Sequence, residues 1–257
     1  MYLRSCGHKN AISTKILFAS DLYRNGLMQI GTFICMAMNR FFLGSLIFIS
    51  SNCWAIKSEK LPNDVRWVTQ SKEYANLCIQ TYQLAQSVVL PKLKKEKSNL
   101  AIVMDLDETV LDNSSYQLER TKLNLGFTQE SWSEWVRRKE AGLVPGAKAF
   151  ISKTRAFPVR IVFISNRMNY NLAATRENLA KLGVLSRDDI FLLRKNREDT
   201  KEKRREEVFT GKGRMSEAGP LQVVAYFGDA MGDFPSAGKE NFGKTNFIFP
   251  NPMYGKW

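Results

Sequence analysis

Ala101-Ile-Val-Met-Asp-Leu-Asp-Glu-Thr-Val-Leu-Asp-Asn-Ser-Ser115 decides how this chain folds. The apolar run from Leu100 to Met104 has the length and branched content of a buried strand. It stops at Asp105-Leu106-Asp107-Glu108-Thr109. In extended backbone alternate side chains share a side, so Asp105 and Asp107 stand together with Leu106 opposite. Two carboxylates that close repel each other, and burying them unpaired is costly. A cation offsets the charge, and hard carboxylate oxygens suit magnesium. The carboxyl end of a strand is also where open α/β sheets bind ligands. Alone, Asp-x-Asp reads as a polar strand end with a helix cap. Three further pieces, in a consistent order downstream, turn it toward a site.

Val159-Arg-Ile-Val-Phe-Ile164 is a second strand, ending at Ser165-Asn166-Arg167. Ile190 to Leu193 is a third, and Leu221 to Phe227 a fourth that ends in Gly228-Asp-Ala-Met-Gly-Asp-Phe234. Asn246 to Phe249 is a fifth. Asn171 to Leu182 has helical spacing, with Leu172, Thr175, Leu179 and Leu182 on one face and Gly183 as terminator. Asp199 to Phe209 is a highly charged helix with Lys201 near its start, and Thr210 to Pro220 a Gly-rich loop. Strands alternating with helices imply a mostly parallel sheet wrapped on both faces. Parallel strands bring Asp105/Asp107, Ser165 and Asp229/Asp233 to one edge.

Upstream, Trp67, Tyr74, Leu77, Cys78, Thr81, Leu84, Ala85 and Val88 recur at helical spacing over 64–90. Asp64 is the candidate cap, and Pro91 is expected to end the pattern. Residues 116–145 lack strand character. Thr128 can cap a helix holding Trp132, Trp135 and Val136, closed by Pro145-Gly146, which makes this insertion a small cap.

The chain has 257 residues and a net charge of +13. Beyond residue 55, 33 basic residues face 24 acidic ones. The excess is scattered rather than grouped in a nucleic-acid motif, so it fits steering of small phosphorylated substrates and gives no nucleic-acid partner. His8 is the only histidine. That excludes a histidine nucleophile, a Ser-His-Asp hydrolase or a His-rich zinc site in the core. Of four cysteines only Cys78 lies beyond residue 55, and it reads as a small apolar helix residue.

Residues 1–55 read as an N-terminal extension and signal peptide. Met38-Asn39-Arg40, the apolar run Phe41 to Ile49 and Cys53-Trp54-Ala55 resemble a secretory signal with cleavage after Ala55. An uncleaved anchor from Leu27 to Ile49 and lipidation at Cys53 stand as alternatives. The expectation is export across the inner membrane to the periplasm or cell surface. Any membrane contact is then through this segment alone.

The convergent groups suit phosphoryl transfer. One carboxylate attacks phosphorus, a second moves the proton, a serine and backbone amides bind phosphate oxygens, and a lysine and a divalent cation offset charge. The order Asp-x-Asp-x-Thr, strand-end Ser, Lys, Gly-Asp-x-x-x-Asp resembles the haloacid-dehalogenase-like (HAD) phosphatases. More closely, five stretches resemble the bacterial class C acid phosphatases, many of which act as 5′-nucleotidases. They are Asp105 to Ser114, Ser131-Trp-Ser-Glu-Trp135 with Val144-Pro-Gly-Ala147, Ile164-Ser-Asn-Arg167, Gly228-Asp229 with Asp233-Phe234, and Pro250-Asn-Pro-Met-Tyr-Gly-Lys-Trp257. The resemblance covers about residues 60–257.

It implies an α/β fold: a HAD-like, Rossmann-like parallel sheet flanked by helices, with a small helical cap and an N-terminal helical extension, over residues 56–257. By the same resemblance Asp105 is nucleophile and magnesium ligand, and Asp107 is general acid/base and gives the metal its carbonyl. Asp229 is a further ligand, and Asp233 supports metal-bound water or the lysine. Ser165, with the Asn166 amide, binds phosphate, and Lys201 stabilises the aspartyl phosphate, with Lys203 as the competing lysine. Trp132 and Tyr254 match family positions that flank the substrate ring, against a reading as ordinary packing. One Mg2+ per site, a nucleotide-like phosphomonoester, an acidic optimum and room for a homodimer complete the expectation. A phosphotransferase and a non-catalytic surface binding protein of the same fold are the alternatives.

Overall fold

The computed structural model describes residues 61–95, 99–235 and 239–255. The chain divides into residues 1–57 and 58–257. The signal, anchor and lipidation expectations fall outside the described residues. Among those residues, no helix is long and apolar enough to cross a membrane.

Five parallel strands form the sheet: β1 (Leu100–Met104), β4 (Val159–Met168), β5 (Ile190–Arg194), β6 (Gln222–Gly228) and β7 (Asn246–Ile248), in the order β5-β4-β1-β6-β7. The period of two sorts the side chains of the central strands. Leu100, Ile102, Met104, Ile161 and Phe163 enter one apolar cluster, while Ala101, Val103, Val162 and Ile164 enter the other. Both faces are therefore buried, as parallel strands require.

The extension is two helices, α1 (Asn63–Gln70) and α2 (Lys72–Lys95), broken at Ser71, whose hydroxyl accepts from Tyr74 N at 3.1 Å and starts the second. Two expectations need correction here. Pro91 lies inside α2, which runs on to Lys95 with Leu93 buried. Leu77 and Leu84 are exposed, and the buried seam is Tyr74, Cys78, Tyr82, Ala85, Val89 and Leu93. Tyr82 anchors that seam, with ring centroids 4.6 Å from Phe249 and 5.5 Å from Phe150. Its hydroxyl donates to the Thr109 carbonyl at 2.7 Å, which ties α2 to the turn after β1.

The cap is bracketed by a two-residue antiparallel pair, β2 (Leu111–Asp112) and β3 (Gly142–Leu143). Between them lie α3 (Ser114–Lys122) and α4 (Gln129–Arg138). Thr128 caps α4 as expected, in a capping box with Ser131. Helix α5 (Ala147–Thr154) follows, begun by Gly146 in the left-handed region and buried through Ala147, Phe150, Ile151 and Thr154. Helix α6 (Leu172–Lys181) follows β4, and α7 (Lys201–Thr210) follows β5, capped by Thr200. Strand β4 overshoots its expected end at Ile164, reaching Met168.

Candidate active site

The sheet register brings the expected groups to one edge. Met104 of β1 pairs with Phe163 of β4 and Phe227 of β6, so Asp105, Ser165 and Asp229 leave adjacent strands together. The Asp105 N–H donates to the Phe227 carbonyl at 2.9 Å, holding the first acidic residue against β6. Carboxylate oxygens of Asp105, Asp229 and Asp233 lie within 4.8 Å of one another. Asp233 comes from a short turn after β6, and its Oδ2 accepts from Ala230 N at 2.9 Å. Gly228 makes that turn fit: a Cβ there would stand 2.2 Å from Asp233 Cβ.

Lys201, the first residue of α7, reaches into the cluster. Its Nζ pairs with Asp105 Oδ1 at 2.8 Å and with Asp233 Oδ1. Lys203 is exposed on the same helix, so Lys201 is the lysine at the acidic cluster. Burial pulls the Lys201 ammonium down, but the carboxylates of Asp105 and Asp233 outweigh it and hold the group above its usual range. Burial pushes Asp105 well above the usual carboxylate range, Lys201 opposes, and the neighbouring acids add to the rise. Asp229 is raised to about 6 by burial and the Asp233 charge, while Asn251 Nδ2, at 2.7 Å from its Oδ2, lowers it.

This donor set fits a hard divalent cation. All donors are oxygens, they converge, and the buried Asp105 Oδ1 has no hydrogen-bond partner despite its ion pair with Lys201. The carboxylate of Asp107 joins a different group. Its Oδ1 accepts from Arg167 Nε at 2.9 Å and Asn113 Nδ2 at 3.0 Å, and Ser165 Oγ lies 3.4 Å from its Oδ2. The carboxylates therefore divide into a cation-type cluster and a single residue held by an arginine beside Ser165.

Arg167 and Asn113 gave no signal of their own as site residues in the sequence. Arg167 is 1 % exposed and also donates to Thr175 Oγ1 and Asn113 Oδ1, at 3.2 Å each. Trp135 Nε1 donates to the same Asn113 oxygen at 2.8 Å, so the cap helix α4 helps orient the Asp107 carboxylate. Removing one partner of a buried ion pair such as Arg167–Asp107 costs about 3–5 kcal/mol. Asn251, in the tail after β7, is a further residue of this kind.

Trp132 is 8 % exposed, edge-on to Tyr116 with centroids 5.0 Å apart, and the Arg167 guanidinium lies 5.8 Å from its ring centroid. It stands beside the Asp107 group. Tyr254 is half-buried in the tail, and among the described residues no ring pairing joins it to Trp132. Asn166 is exposed, with its Oδ1 accepting from Arg204 Nη2 at 2.7 Å.

Fold and site define a HAD-like α/β protein. The profile of the HAD superfamily, subfamily IIIB (acid phosphatase), matches residues 51–257. Two solved structures of the class C acid phosphatase from Bacillus anthracis, one with tungstate bound, are each 34% identical, cover 75% of this chain and 84% of theirs, and superpose with a TM-score of 0.66. The stem 31 kDa glycoprotein of Glycine max is 27% identical over 161 residues, 61% of this chain, and the chain spans 59% of that protein's length. The chain belongs to the HAD superfamily, subfamily IIIB, a family of acid phosphatases.

Proposed function

We propose that this protein is a magnesium-dependent acid phosphatase that hydrolyses phosphomonoesters, with nucleoside 5′-monophosphates as the substrate class. The observation that carries the reading is the meeting of Asp105, Asp229 and Asp233 around Lys201 at the carboxyl edge of the sheet. Asp105, the Asp107 carbonyl and Asp229 would hold the metal, with Asp233 supporting its water or Lys201, and the metal would screen the charge between an anionic nucleophile and an anionic ester. Asp105 forms a bond to phosphorus as the ester P–O bond breaks, and Asp107 gives its proton to the leaving oxygen. Water then attacks the aspartyl phosphate, Asp107 takes the proton back, and inorganic phosphate leaves. Ser165 and the Asn166 amide hold phosphate oxygens, and Lys201 offsets their charge.

Tungstate, a phosphate analogue in shape and charge, is bound in a relative that is 34% identical, which supports a phosphate-like oxyanion as ligand. The nucleotide reading is supported by exposed Phe127, whose ring centroid is 6.3 Å from that of Trp132, beside the Asp107 group. The acidic optimum follows from the need for a protonated Asp107 in the first step. The N-terminal apolar run remains the proposed export signal.

With magnesium, the protein is expected to hydrolyse p-nitrophenyl phosphate and nucleoside monophosphates at acid pH. EDTA and Asp105→Asn should each abolish turnover. Undiminished hydrolysis by Asp105→Asn would refute the assignment.

A further inference from the structure

Arg204 stands one turn beyond Lys201 on α7 and is fully buried, at 0 % exposure. Its side-chain N–H groups are taken up by three elements of structure. Nη1 donates to the Ser165 carbonyl at 2.5 Å and the Leu192 carbonyl at 3.2 Å. Nη2 donates to Asn166 Oδ1 at 2.7 Å and the Asp199 carbonyl at 3.1 Å. Nε donates to the Thr200 carbonyl at 3.2 Å, with the Asp199 carboxylate 3.5 Å away. Burial pulls the guanidinium down to about 10, and Asp199 counters it. One planar fork thus joins the ends of β4 and β5 to the turn that begins α7. A lysine, with three donors on a single nitrogen, could not reach all of these acceptors.

We infer that Arg204 is a positioning residue that sets the spacing between the two halves of the phosphate site, Ser165-Asn166 on β4 and Lys201 on α7. The inference rests on the acid-phosphatase reading. Ser165 is fixed from both sides: its carbonyl by Arg204, and its hydroxyl by the Arg167 N–H at 3.2 Å and Asp107. Lys201 follows directly on Thr200, whose carbonyl Arg204 also holds. Releasing the fork frees the Asn166 side chain and lets the first turn of α7 slide against the sheet. Asp105, Asp229 and Asp233 sit just beyond β1 and β6 and make no hydrogen bond or ion pair with Arg204, so the cation cluster feels the change only through Lys201. The effect falls on the phosphoryl group common to all substrates, not on the leaving group.

The test compares full-length wild type with Arg204→Lys and Arg204→Met well below their melting temperatures. KM for p-nitrophenyl phosphate and for a nucleoside monophosphate should rise by the same factor, about 10-fold or more, together with the inhibition constant of inorganic phosphate. Magnesium affinity by calorimetry should change by a smaller factor than the phosphate inhibition constant, and Arg204→Lys should recover part of the loss. A lowered melting temperature with all three constants as in wild type would show a purely structural role and overturn the inference. If neither variant folds, Asp199→Asn, which leaves Arg204 in place, should weaken phosphate inhibition in the same direction; an unchanged constant overturns the inference. Wild type without turnover or phosphate binding would overturn the phosphatase reading and this inference together. Wild-type turnover with variants that bind phosphate normally would overturn the inference alone.

Discussion

Asp229 carries the clearest pH signature of any single residue. Its carboxyl is raised from the usual 3.8 to about 6. A carboxyl raised in the folded state lends stability while protonated; that stability is complete below about pH 4 and is lost as pH rises through about 6. Metal-free Asp229→Asn is therefore expected to melt higher than metal-free wild type at neutral pH, by at most about 3 kcal/mol, and no higher near pH 4. Magnesium should cancel the gain, because the variant lacks a ligand. A gain of equal size at both pH values would contradict the shift. At this scale the sequence was legible wherever a polar residue closed an apolar run: Asp105, Ser165 and Asp229 do, with Asp107 and Asp233 a few residues beyond, and all reach the same edge. Arg204 was not legible, and Arg167 and Asn251 showed only as members of the stretches that carry the resemblance, without a role of their own. A single arginine in a charged stretch, as Arg204 is, looks solvated until the fold supplies its partners.

Among the elements, the turn after β6 has the narrowest tolerance. Asp233 packs against the bare Cα of Gly228, where a Cβ would stand 2.2 Å from its own Cβ. Gly228→Ala must push Asp233 away or distort the end of β6. The variant should lose roughly 100-fold in activity, with weakened magnesium binding, and about 1–3 kcal/mol of stability. Wild-type activity and metal affinity would show that the close approach does not matter. The main strands were readable as short apolar runs with abrupt polar ends. Other elements were hidden for physical reasons. The β2–β3 pair is two residues long on each side, too short to show a period of two. Strand β4 runs past Ser165 because Arg167 is buried and paired, a polar residue serving as interior. The missing N–H of Pro91 looked like a helix end, yet burial of Leu93 one half-turn later continues α2 to Lys95.

Across the whole molecule, sheet order turns a linear motif into a site. The first strand in the sequence lies at the centre of the sheet, flanked by β4 and β6, so the acids following β1 are within reach of both neighbours. The cap adds Trp132, Trp135 and Asn113 beside the Asp107 carboxylate, and α2 braces the turn after β1 through Tyr82. The phosphatase reading turns on Asp105, held in this acidic cluster, as the acceptor of the phosphoryl group. Acid-quenching the enzyme during turnover with magnesium, followed by peptide mass spectrometry, tests it most directly. One phosphoryl group is expected on the peptide that holds Asp105, placed on Asp105 itself and absent from Asp105→Asn. Label on Asp107, or steady turnover with no label on that peptide, would contradict it.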